Sequence, residues 1–145
     1  FSVFYIIKII KIRFRLKMIS THTSVQFINH ASFKVNFENI TLLTDPWYQG
    51  DSFHKGWNLL IEQSKDEIVS ILKNVTHIWI SHEHPDHFNP PNLKIFSDKN
   101  NFLFQKTVDK RVVKFLSKIS PNVKEIDFSL PSFLHVLYKP KSVKK

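Results

Sequence analysis

The chain has 145 residues, enough for one domain with a real core but short of what two would need. Its hydrophobic fraction of 42% and fourteen phenylalanines mark a globular chain, and the lack of cysteine excludes disulfides, thiolate zinc sites, iron–sulfur clusters and cysteine nucleophiles. The formal charge of +9 is confined to the ends: residues 1–17 and 139–145 carry all nine excess cations, while residues 18–138 balance twelve bases against twelve acids, so no basic groove for nucleic acid is expected.

Residues 1–17, "FSVFYIIKIIKIRFRLK", are too short and too charged to span a bilayer. Their charges follow the apolar run, the reverse of a secretory signal. The alternation of Lys8, Lys11, Arg13, Arg15 and Lys17 admits a strand or a membrane-surface segment. The simpler expectation is a natural start at Met18, with 1–17 as translated upstream sequence. A partial domain then runs over 18–128, and 129–145 reads as an irregular basic tail. No transmembrane segment is expected, and a cytoplasmic location fits.

Val25 and Phe27, then Phe33, Val35 and Phe37, alternate as half-buried strands do. Glu38-Asn39 is a tight turn before a third strand, "ITLLT", which stops at Asp45-Pro46. Residues 46–63 read as a loop holding both glycines and two of the three tryptophans, Trp47 and Trp57. Aromatic residues on such a loop suit substrate contact or a cover for the core edge. Ser64 and Glu67 make a capping box opening a helix through Lys73, with Ile68, Ile71 and Leu72 on one face. "THIWIS" reads as a buried strand, Pro90-Pro91 as the start of a short helix, and "FLFQ" as a strand. Residues 108–117 form an amphipathic helix and "VKEID" a last strand. Strand and helix alternate, which is the α/β pattern.

Between "THIWIS" and Pro90-Pro91 lies the chemistry. "SHEHPDHF" places His82, His84, Asp86 and His87 directly after a buried strand. His82 and His84, two apart on an extended chain, face one way, and Glu83 faces the other. Pro85 turns the chain before Asp86 and His87. Imidazole and carboxylate donors suit Zn²⁺, Fe²⁺ or Mn²⁺. Two adjacent cations can share a water and lower its pKa.

The cluster resembles the signature motif of the metallo-β-lactamase fold hydrolases. "VQFINHASFKV" resembles the family's opening strand–loop–strand, usually written with Gly-His where this chain has Asn29-His30. "LLTDPWYQG" resembles its second motif, and all three stand in the family's order across residues 22–127. The wording leans toward the branch related to the metallo-hydrolase domain of CMP-N-acetylneuraminate hydroxylase, with ascorbate-phosphate lactonases and N-acyl-phosphatidylethanolamine phospholipase D as further relatives. A hydroxylase proper also needs a Rieske cluster, which a chain without cysteine cannot build.

The resemblance implies the N-terminal half of a four-layer αββα sandwich. It implies His82 and His84 on a first metal and Asp86 and His87 on a second, most simply two zinc ions, with Asp86 also the catalytic carboxylate. Asp45 would orient the metal loop or a ligand histidine from behind. His30, Trp47 and Trp57 would meet a small-molecule substrate. His54 is a weaker candidate, His77 is structural, and His22 has no role. The family's site needs a third histidine, a bridging aspartate and a last histidine, and beyond His87 this chain offers only His135. The expected function is therefore a metal-dependent hydrolase attacking an ester, lactone, amide or phosphoester, in a truncated copy with weak or no activity. The alternative is a non-catalytic metal-binding or interaction remnant. Half a sandwich should also leave an apolar sheet face uncovered.

Overall fold

The computed structural model describes residues 23–96 and 100–128. The extension 1–17, the suspected start at Met18, the tail 129–145, His22 and His135 lie outside these residues. Three strands open the chain: β1 (Ser24–Asn29), β2 (Ser32–Phe37) and β3 (Ile40–Thr44). Then follow α1 (Lys65–Leu72), β4 (His77–Ile80), α2 (Pro90–Leu93), β5 (Asn101–Gln105), α3 (Arg111–Ile119) and β6 (Val123–Ile126). The six strands form one sheet in sequence order. β1, β2 and β3 pair antiparallel, and β3 to β6 run parallel. Tight turns join the antiparallel strands, while each parallel step is bridged by a helical crossover.

The register places Leu43, Ile78 and Phe102 side by side, with Ile80 and Phe104 on the next rung. They form one core with Ile68 of α1, Leu93 of α2, and Val112 and Leu116 of α3. The alternate positions, Val35, Leu42, Trp79, Leu103 and Ile126, lie on the opposite face and are at most 5% exposed. Phe128 stands edge-on to Trp79 at 5.7 Å on that second face. Burial of both faces explains why β4 and β5 read as unbroken apolar runs.

Local chemistry sets the element ends. Ser64 caps α1 with a complete capping box, Glu67 answering from N3. At the other end Lys34 reaches from β2 to the carbonyls of Ile71 (2.7 Å) and Lys73 (3.0 Å), an ammonium placed on the negative pole of the helix. The strand over "THIWIS" stops at Ile80, so His82 and His84 stand beyond it in a loop. α3 begins at Arg111, later than its apolar pattern suggests, because Asp109 accepts from the Arg111 N–H and holds a turn ahead of it. Among the described residues no helix is long and apolar enough to cross a membrane.

The loop after β3 is pinned by one side chain. Asn92, buried on α2, accepts from the N–H groups of Tyr48 (2.8 Å) and Gln49 (3.1 Å) and donates to the Gln49 carbonyl (2.9 Å). Its other amide hydrogen goes to Asn89, the cap of α2. Asn92→Ala strands the buried Tyr48 N–H, and a loss of about 2 kcal/mol is expected. A fall in the urea midpoint with unchanged slope would show it; an unchanged midpoint would remove this role from Asn92.

Candidate metal centre

β3 and β4 lie parallel and end together, Thr44 beside Trp79. Ligands of parallel sheets gather beyond such C-terminal ends. Asp45, the first residue past β3, has a left-handed backbone (φ 38°) and is 1% exposed. Its N–H donates to the Trp79 carbonyl at 2.9 Å. One carboxylate oxygen accepts from the Ser81 N–H (2.7 Å), the other from His87 Nδ1 (3.0 Å). A carboxylate ion only accepts, so the proton sits on His87 Nδ1 and Nε2 is turned to the cluster.

Residues 81–89 form a compact loop closed by the His84 carbonyl, which accepts from the N–H groups of His87 and Phe88. His82 Nε2 and His84 Nδ1 face each other at 3.0 Å. Donors around one ion with bonds of about 2.1 Å stand roughly 3.0–3.4 Å apart. The Ser81 hydroxyl lies 2.8 Å from His82 Nδ1 and 3.1 Å from His87 Nδ1, so it fixes both rings. The rings of His82 and His87 are 4.1 Å apart. Asp86 is buried, with one carboxylate oxygen 2.9 Å from His30 Nε2 and 3.4 Å from His87 Nε2. Its other oxygen is buried and has no hydrogen-bond partner. Glu83 is exposed.

The electrostatics separate the histidines. Burial opposes a charge on His87, but the hydrogen bond and charge of Asp45, with Asp86 behind, outweigh it and hold its pKa above the ordinary imidazole value. Burial lowers His82, and His87 and His84 beside it push the same way. For Asp86 burial acts upward, yet the His30 hydrogen bond, its own backbone and the nearby histidines leave its pKa below the usual carboxylate range. His77 is lowered by burial, and at the start of β4 it hydrogen-bonds the preceding Thr76, away from the loop.

The sheet brings together His30, Asp45, His82, His84, Asp86 and His87. It does not bring Trp47 to the surface. Trp47 is 1% exposed, and its indole N–H donates to the Gly50 carbonyl, so it packs under His30 rather than facing solvent. The reason is its place: it follows directly on the end of a central strand. Trp57 is 53% exposed and stands 6.3 Å from the His30 ring. Phe53, not singled out from sequence, lies 5.2 Å from Trp57 and 6.1 Å from His84. Ser81 was also missed; its only sequence signal is its place between a buried strand and His82. His54 sits exposed beside Phe53, and both have positive φ.

A sequence profile for the beta-lactamase superfamily domain matches residues 24–144. Over 76 residues the chain is 34% identical to cytidine monophosphate-N-acetylneuraminic acid hydroxylase of Asterias rubens, covering 52% of this chain and 12% of that protein. Over 75 residues it is 36% identical to the Xenopus laevis hydroxylase, again covering 52% and 12%. The chain thus spans about an eighth of the length of the curated relatives it matches. Among solved structures it resembles a possible metal-dependent hydrolase from Veillonella parvula DSM 2008, with a TM-score of 0.54 at 21% identity, over 74% of this chain and 42% of that one. It also resembles CmlA, a diiron β-hydroxylase from Streptomyces venezuelae, with a TM-score of 0.50 at 16% identity, over 77% and 22%. Sheet, helices and loop order are those of the α/β metallo-β-lactamase-type fold, and the chain belongs to the beta-lactamase superfamily domain family.

Proposed function

We propose that the domain is the metal-binding part of a metal-dependent hydrolase. The observation that carries this reading is the convergence of His82, His84, Asp86 and His87 at the end of β4, with Asp45 fixing the tautomer of His87. The donors present fit divalent cations. A nitrogen pair at 3.0 Å matches two ligands of one ion, and the buried, unpartnered oxygen of Asp86 is an acceptor that lacks a positive partner. His82 and His84 would hold one cation and Asp86 with His87 the other, zinc being the simplest choice and iron or manganese the alternatives. Bound in this way, the cations would supply a water that is acidic near neutral pH and a Lewis acid for an ester, lactone, amide or phosphoester oxygen.

The chain's own residues would do the rest. Asp86, ionised at neutral pH, orients the water and accepts its proton. Asp45 and Ser81 hold the rings of His82 and His87 against rotation. Trp57 offers an exposed face for an apolar part of a small-molecule substrate. The second reading is a metal-binding module without catalysis, which the same donor set supports.

Metal analysis of the purified chain with an assay on a lactone and a phosphodiester separates the two. Bound metal with turnover supports the enzyme, bound metal without turnover supports the module, and no bound metal removes both. Asp45→Asn is expected to weaken metal binding by about 10–100-fold through misorientation of His87, read by competition with a chromophoric chelator. Protons compete for the same nitrogens, so affinity falls with pH, and the raised pKa of His87 starts that fall above about 6.5. In the metal-free protein the sign reverses. The contribution of His87 to stability is complete below the ordinary imidazole pKa and is lost as pH rises through its raised folded value. The stability difference between wild type and His87→Gln should therefore be larger at about pH 5.5 than at about pH 8. A flat difference in urea titrations would contradict the Asp45–His87 pairing.

A further inference from the structure

We propose that His30 is itself a metal ligand, giving Nε2 to the cation held by Asp86 and His87. The inference rests on the reading of the loop as a metal centre and extends it to a residue on a different hairpin. His30 Nε2, an Asp86 carboxylate oxygen and His87 Nε2 all lie within 4.8 Å of one another. The two separations from that oxygen are 2.9 Å and 3.4 Å. Around an ion with bonds near 2.1 Å, neighbouring donors stand about 3.0 Å apart at right angles and about 3.4 Å apart in a tetrahedron. Both separations from the Asp86 oxygen already match one coordination shell.

A hydrogen bond from His30 to Asp86 accounts for less. It engages that carboxylate oxygen with His30 alone. It also leaves His87 Nε2 at 3.4 Å from the same oxygen, longer than an ordinary hydrogen bond. A divalent cation between His30, Asp86 and His87 would engage all three atoms at once.

The backbone supports the same assignment. His30 is the first residue of the two-residue connection between β1 and β2, and its φ is 46°. Glycine is the unstrained residue there, and a strained non-glycine at a convergent polar site is a mark of function. The connection is also stiffened. The Thr44 hydroxyl accepts from the Phe33 N–H and donates to the Ala31 carbonyl, both at 2.9 Å. The ring is held edge-on by Trp47 at 5.2 Å and by His87 at 5.7 Å. Ligands fixed before binding lose little freedom on binding.

One consequence follows for filling order. The cation at Asp86 gains three protein donors, and the one at His82 and His84 has two. The first equivalent should enter at Asp86.

The experiment is a Co²⁺ titration of the full chain and of His30→Asn, a residue that tolerates the left-handed conformation. Two signals are read: visible absorption for affinity, and the count of hyperfine-shifted, exchangeable imidazole N–H protons for ligation. Loss of one such proton, with the first equivalent bound at least about tenfold more weakly, supports His30 as a ligand. An unchanged count and unchanged first-equivalent affinity overturn it while leaving the metal centre intact. A wild-type chain that takes up no Co²⁺ overturns the metal centre itself and this inference with it. Should His30→Asn fail to fold, His30→Gly with added imidazole replaces it. Recovery of the first-equivalent absorption by imidazole supports ligation, and indifference to imidazole counts against it.

Discussion

A carboxylate buried at the seam of two parallel strands organises this domain. Asp45 is almost wholly removed from water, a position that costs several kcal/mol unless every lone pair is met. Here the Ser81 N–H and the His87 ring meet them, and the Asp45 N–H closes on the Trp79 carbonyl. One residue therefore ties the end of β3 to the end of β4, starts the loop that carries four candidate donors, and chooses which nitrogen of His87 is free. If the seam slips by one residue, all three functions fail together, because strand side chains change face with each step.

Much of this was legible in the sequence where a local rule governs. Alternation in "SFKVNF" and the Ser64–Glu67 box placed β2 and α1, since both depend on neighbours in the chain. The residue types in "SHEHPDHF" pointed to metal because that chemistry needs them whatever the fold. What was not legible depends on partners far away in sequence. Trp47 and Trp57 share a loop and a residue type, yet one is buried under the His30 turn and the other stands in water. Asn92 is an ordinary polar residue in the sequence, and only the fold shows it holding the backbone of residues 48 and 49. His30 read as a rim residue because the pairing of β1 with β2, which aims its ring at Asp86, leaves no periodic trace.

The rim beside the cluster has its own constraint. Phe53, His54 and Lys55 all have positive φ, three non-glycine residues in a row. Each is disfavoured by a clash between Cβ and backbone. The turn is held by the Ser52–Trp57 bridge, by Gly50 donating to Glu62, and by Gln63 donating to Tyr48. The turn leaves Phe53 and Trp57 exposed and edge-on to each other, Phe53 beside His84 and Trp57 beside His30.

The sheet pairs that build the hairpins are local, but the pairs that build the centre are not. His30 and Asp86 are 56 residues apart and Asp45 and His87 are 42 apart. Contacts of such separation form only after the entropy of closing long loops has been overcome. The β1–β3 meander can assemble early, whereas His30 and Asp45 reach the 81–89 loop only once β4 has docked beside β3. An unfinished chain therefore carries the clustered donors without the partners that fix their rings, and tight capture of an ion becomes a report that the sheet is complete.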